Sequence, residues 1–109
     1  MTEKKITVAP QDQVELYEET ARRFFREVLD YRFDDCLITD ESWLRDFSSC
    51  GLPDELADTA PNLKALYAVW DVWVLNELRT RYGLEYTTTA VPLLNIFRDL
   101  EAFWTRQQH

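Results

Sequence analysis

Between Pro61 and Gly83 the chain reads PNLKALYAVWDVWVLNELRTRYG, and this stretch constrains the fold more than any other. Leu63, Leu66, Tyr67, Trp70, Trp73, Val74, Leu78 and Tyr82 recur at steps of three and four, the spacing that gathers side chains on one face of an α-helix. Val69, Val72 and Leu75 widen that face beyond a single stripe, as expected of a helix with neighbours on several sides. Pro61 suits the first turn, where a missing N–H costs nothing, and Gly83 suits the left-handed position just past the end. Leu84 would close that end by packing back on the last turn. The spacing predicts a helix over 61–82 at the centre of the molecule.

The rest of the chain is read around it. A length of 109 residues makes one domain, 1–109, large enough for a hydrophobic core without disulfides or metals. Two glycines allow few tight turns, which argues against an all-β meander. Pro10 and Asp12 open a first helix over about 11–30, with Val14, Tyr17, Ala21, Phe24, Phe25 and Val28 at helical spacing and Leu16 and Leu29 at its margins. Glu18–Arg22, Glu19–Arg23 and Arg23–Glu27 are i,i+4 pairs on its polar side, so the Arg22, Arg23 and Arg26 cluster reads as a solvated face rather than a phosphate site. Pro92 begins a last helix over about 92–106, with Thr89 or Ala90 near its cap and Leu93, Ile96, Phe97, Leu100, Phe103 and Trp104 facing inward. A short helix near 40–47 is expected behind Thr39 or Asp40 as N-cap, with Glu41 in the first turn where the helix dipole favours it. Ile6 and Val8 alternate as in a short strand or ordered arm, Cys36, Leu37 and Ile38 as a short buried extended piece, and LEYTTTAV as an extended connection. Pro53-Asp54-Glu55 can start one further helical turn. The fold class is therefore all-α, a small bundle of three main helices plus a short one.

Charge placement separates the function classes. The chain carries 20 acidic and 12 basic residues, a net charge of −8. Nine of the acids (Asp30, Asp34, Asp35, Asp40, Glu41, Asp46, Asp54, Glu55, Asp58) fall between positions 30 and 58 against only Arg32 and Arg45, a local net of −7. The other 80 residues come to −1. Such a surface repels nucleic acid and anionic membranes and attracts a basic partner. No apolar run approaches the ~18 residues a membrane span needs. MTEKKITV has no apolar signal region, so a cytoplasmic, reducing setting is expected, with Cys36 and Cys50 as thiols; a pairing of the two would need export by another route.

The residues offer little catalytic chemistry. The one histidine, His109, ends the sequence and reads as a frayed end, which removes Ser-His-Asp and Cys-His arrangements. Asp34, Asp35, Asp40 and Glu41 lack the alternation and central glycine of a calcium loop, zinc would need more Cys or His, and no glycine-rich phosphate loop is present. Neither enzymatic activity nor a resident metal or cofactor is expected. The segment FDDCLITDESWLRDF interleaves carboxylates with Phe33, Leu37, Ile38, Trp43, Leu44 and Phe47. It reads either as a loop pinned to the core with its acids in water, or as an interface in which an aromatic anchor sits in an acidic rim.

Two pieces resemble acyl carrier proteins: ITDESWLRDF (38–47), similar to that family's loop after its first helix, and LNELRTRYGLEY (75–86), similar to the end of its long helix. The resemblance implies an acidic helical architecture that docks on basic surfaces. It does not extend to the family's phosphopantetheine-bearing serine, since the long helix reads YAVWDVW and Ser42 lies in a different element. The function expected is that of a small acidic protein-binding domain that inhibits a basic partner by occlusion, as immunity proteins, antitoxins and nucleic-acid mimics do, the partner being a nuclease or other nucleic-acid-binding toxin. The residues expected to make the contact are Asp34, Asp35, Asp40, Glu41, Trp43, Asp46, Asp54 and Glu55. The alternatives are a carrier-like protein and a homo-oligomerising structural module paired through exposed Trp and Phe.

Overall fold

The computed structural model describes residues 6–29, 36–48 and 50–107. In chain order they form β1 (Ile6–Val8), a 3-10 turn (Gln13–Tyr17), α1 (Glu18–Glu27), β2 (Cys36–Ile38), a second 3-10 turn (Leu44–Phe47), α2 (Asp54–Ala57), α3 (Leu63–Tyr82) and α4 (Leu93–Gln107). The all-α bundle expected from the sequence is present, with one two-stranded sheet added to it.

The ends of α3 follow from two residues. Asn62 is the N-cap, its side-chain oxygen accepting the Ala65 N–H at 2.9 Å. Pro61 therefore precedes the cap instead of occupying the first turn, because an Asn carbonyl satisfies a donor that proline leaves open. At the other end Gly83 adopts φ 70°, its N–H still bonding Arg79 O, while the Leu84 N–H folds back to Leu78 O at 3.1 Å. Leu84 packs against the core as the sequence suggested. The buried line of the helix is Trp70, Val74, Leu78 and Tyr82, one residue per turn. Leu63 and Tyr67, counted in the apolar face, are instead exposed.

The single helix expected over 11–30 is divided. Val14 and Tyr17, three apart in the 3-10 turn, eclipse one another, so one turn sends both against the core. The chain then passes through Tyr17 (φ −115°, ψ 26°) into α1, which aims Ala21, Phe24 and Phe25 inward. Leu16 is left pointing into water, 80% exposed. Arg22 pairs with Glu18, and Arg23 takes Glu27 rather than Glu19. Val28 and Leu29 leave the helix but stay buried, Leu29 completely.

β1 and β2 run parallel with Ile6 opposite Cys36 and Val8 opposite Ile38, and the Ala9 N–H extends the ladder to Ile38 O at 2.8 Å. A parallel pair needs a crossover, and α1 lies within the connection that provides it. Both pieces are extended, as their sequences predict, but alternation buries Ile38 fully while Leu37 faces outward. α4 buries Leu93, Leu94, Ile96, Phe97, Leu100 and Trp104, adding Leu94 to the expected face. It begins at Leu93, so Thr89 and Ala90 belong to the approach and not to its cap. Edge-on ring contacts knit the core: Phe24 with Phe25 and Phe97, Phe25 with Phe47, and Tyr82 with Phe103 and Trp104, all with centroids 4.8–5.8 Å apart. Among the described residues, no helix is long and apolar enough to cross a membrane.

The two glycines differ in what an added methyl would meet. Gly51 (φ 75°) lies against Leu29, and a Cβ there would stand 2.0 Å from the Leu29 carbonyl oxygen, whereas around Gly83 (φ 70°) the space is open. Gly83→Ala should therefore cost only the left-handed strain of about 1–2 kcal/mol. Gly51→Ala must in addition displace backbone and should cost at least ~3 kcal/mol. Urea unfolding of the two variants checks the difference, and equal losses would contradict the close approach.

Candidate protein interface

The expected interface residues divide into carboxylates that the fold uses internally and carboxylates that it leaves in water. Asp40 belongs to the first group. Its Oδ1 accepts the Val14 N–H at 2.9 Å and its Oδ2 the Gln13 N–H at 3.0 Å, so it caps the 3-10 turn before α1 from 26 residues away. In return the Asp40 N–H donates to Asp12 Oδ2 at 3.0 Å. Asp40 was expected to cap a helix near 40–47; that helix is only the turn Leu44–Phe47, because Asp40 is already bonded elsewhere and Trp43 sits at its start.

Asp46 is also engaged, its Oδ2 accepting the Trp43 N–H at 2.9 Å, although it remains exposed. On either side of Trp43 the backbone pairs with the segment before α4: Leu93 N–H to Ser42 O, Leu44 N–H to Val91 O and Arg45 N–H to Thr89 O, at 2.9–3.1 Å. Leu44 is thereby driven fully into the core and Trp43, its neighbour, is held outward with 41% of its surface exposed. The Arg45 guanidinium sits 5.8 Å from the centre of the Trp43 ring. Ser42 Oγ accepts the Thr39 N–H at 3.0 Å, a bond that fixes the turn.

Glu41, Asp54, Glu55 and Asp58 form the second group. All four are exposed, and none has a salt-bridge partner among the described residues. The ion pairs that do form lie on α1 and α3, between arginines and glutamates of the same helix. Asp54 and Glu55 occupy the first turn of α2, where the dipole favours them. Glu41, Trp43 and Asp46 thus share one turn, while Asp54, Glu55 and Asp58 share another around α2. Asp34, Asp35, Arg32, Phe33 and His109 lie outside the described residues. Asp58 was not among the expected contacts, although its charge and its place beside Glu55 were visible in the sequence.

The far end of this region is pinned by Cys50. Its carbonyl oxygen accepts the buried Trp70 Nε1–H at 2.8 Å. No disulfide joins Cys36 to Cys50. Burial, with Cys36 adding to it, pushes the Cys50 thiol up to about 11 from its ordinary 9.0. The Tyr82 hydroxyl is raised by burial, and that of Tyr86 by burial and by donating to Asp99 Oδ2. Among the described residues, no three His, Cys, Asp or Glu side chains are grouped so as to hold a metal ion. No protein-family model, curated protein or solved structure matches the chain.

Two outcomes follow from this geometry. Asp40→Ala strands two backbone donors and should lower stability by about 2 kcal/mol, whereas Glu55→Ala should stay within about 0.5 kcal/mol of the native chain in urea unfolding. The three raised hydroxyl and thiol groups make the native chain hold protons that the unfolded chain releases. For Cys50 the associated stability is complete below pH 9.0 and is lost as pH rises through about 11. Urea midpoints should therefore be flat up to that lower limit and decline above it, and Cys50→Ala should decline less from its own neutral-pH value.

Proposed function

We propose that the chain is a small non-enzymatic binding protein that covers a cationic surface of another protein, acting as an inhibitor by occlusion. The observation that carries this reading is that Glu41, Asp54, Glu55 and Asp58 are exposed and without ion pairs among the described residues, while Arg22, Arg23 and Arg26 of α1 and Arg81 of α3 are paired with glutamates of their own helices. An anion that no internal cation neutralises is available to an external one, and a segment carrying most of a net charge of −8 attracts such a partner.

Trp43 supplies what charge alone does not. A half-exposed indole fixed by backbone bonds on both flanks loses little entropy on binding, and Trp is enriched among residues that dominate interface energy. Its cation–π neighbour Arg45 is the only base between residues 36 and 58. The contact we assign is Glu41, Trp43 and Asp46 with Asp54, Glu55 and Asp58 in support. Asp40 acts through the position it imposes on this turn, and Asp34 and Asp35 extend the same charge along the sequence. The partner is a basic nuclease or another nucleic-acid-binding toxin, whose cationic groove the acids occupy in place of phosphates, and the setting is cytoplasmic. A carrier role is disfavoured, since Ser42 is half-buried and its Oγ accepts a backbone N–H.

The test is binding of the chain to a panel of purified cationic nucleases. Affinity should fall at least about tenfold when Glu41, Asp54 and Glu55 are all replaced by Lys, and should weaken steeply with added salt. Unchanged affinity in the triple variant, with the helical content intact, would overturn the reading.

A further inference from the structure

The breadth of the apolar pattern on α3 led to the expectation that other helices surround it. They do not. The line opposite Trp70, Val74 and Leu78 runs through Ala68, Val72, Asn76 and Arg79, all exposed, with Val72 72% accessible at its middle. Leu56 of α2 and Tyr86 of the segment after α3 complete a groove of about 860 Å³ along it. An exposed valine between two such walls is an apolar helix face without a partner.

We infer that this groove is occupied by the α3 helix of a second copy of the chain, packed antiparallel about a two-fold axis at Val72. Three features of the face match themselves under that operation. The first is shape: the small residues Ala65 and Ala68 lie in the first half and the larger Asn76 and Arg79 in the second. Antiparallel pairing about Val72 sets Ala68 against Asn76 and Ala65 against Arg79, small against large at every step.

The second is charge. Lys64, Asp71 and Leu75 share one flank of the helix, being seven and four positions apart. The segment after Gly83 returns along that same flank, since Thr89 Oγ1 donates to Asp71 Oδ1 at 3.2 Å. Lys64 and Glu85 therefore mark opposite ends of one flank, both exposed and both without a salt bridge among the described residues. A two-fold axis perpendicular to the helix keeps the flank and exchanges the ends, so it brings Lys64 to Glu85 twice. The third is the helix dipole, which is opposed favourably in an antiparallel pair. An unrelated amphipathic helix would meet the same apolar floor but has no reason to meet this charge pair. The groove is lined by neither Trp43 nor any of the acids assigned to the cationic partner, and the inference stands whether or not those acids bind one.

The experiment is analytical ultracentrifugation of the full chain from micromolar to submillimolar concentration at moderate salt. The expected result is a species of twice the 13.0 kDa chain mass. Val72→Glu, which places two like charges on the axis and removes no core contact, should sediment as a single chain with unchanged helical circular dichroism. Lys64→Glu should weaken the dimer about tenfold, and adding Glu85→Lys to it should restore the affinity. A wild-type chain that stays at 13.0 kDa throughout overturns the inference, as does a dimer that Val72→Glu leaves intact. A monomer that instead binds a synthetic amphipathic helical peptide in a Val72-dependent way also overturns it and gives the groove to a different partner. A dimer indifferent to the charge exchange overturns the antiparallel pairing.

Discussion

Asp12 and Asp40 sit in the turns that follow the two strands, and through them these turns bond each other's backbones. Asp40 accepts the Gln13 and Val14 N–H groups, and Asp12 accepts the Asp40 N–H. Two paired strands of three residues each are too small to persist alone, so the sheet depends on what grips the chain immediately after it. The carboxylate exchange is that grip. It places Val14 in the core at the start of one turn and sets the direction in which residues 41–48 leave the sheet. From there the Ser42–Arg45 backbone meets Thr89–Leu93, Leu44 is buried and Trp43 is turned outward. The exposed indole is thus the last consequence of two half-buried aspartates bonded to each other's turns.

What could be read in advance depends on the range of the interaction responsible. Helices α3 and α4 were visible because their apolar spacing is local, and so was the left-handed Gly83 ending. The start of α3 was displaced by two residues only because Asn62 outcompetes Pro61 for the role of organising the first turn. The division of the first helix was not visible, since its cause is a carboxylate 26 residues downstream. The same range problem affects the candidate interface. The excess of acids between 30 and 58 could be counted, but the internal use of Asp40 could not, because Gln13 and Val14 give no sign of needing an acceptor there. Asp46 was closer to legible: a carboxylate three residues after the start of a turn is the local capping pattern.

The width of the α3 pattern carried a different error. Periodicity reports that a face is apolar, not what covers it. An apolar residue on all sides of a helix normally means neighbours on all sides, which holds in part for the half-buried Val69 and Leu75 but not for the exposed Val72. Among the described residues α1 and α4 are the only other helices of more than one turn, they pack on each other through Phe24 and Phe97, and no described element lies over Val72. The apolar breadth therefore points outside the single chain, which is information of a kind the sequence carried but intrachain reasoning assigned to the wrong place.

The two surfaces are linked through the net charge they share. Each chain carries −8, and Leu56, which lines the groove, stands between Glu55 and Asp58 on α2, so part of the charge that opposes the approach of two copies borders the groove itself. Salt screens that repulsion and leaves apolar contact largely unaffected, so it acts in opposite directions on the two surfaces: it favours self-association through α3 and weakens capture of a cation by Glu41, Asp54 and Glu55. A cationic partner does locally what salt does generally, because neutralising the acidic region of each copy removes the long-range charge that opposes their approach. Were both proposed contacts to form, linkage would make that effect reciprocal: occupancy of the acidic region would strengthen pairing at Val72, and pairing would strengthen occupancy by the same factor. The surplus of negative charge and the exposed apolar line of α3 would then act as two sides of one coupled equilibrium, meeting at α2.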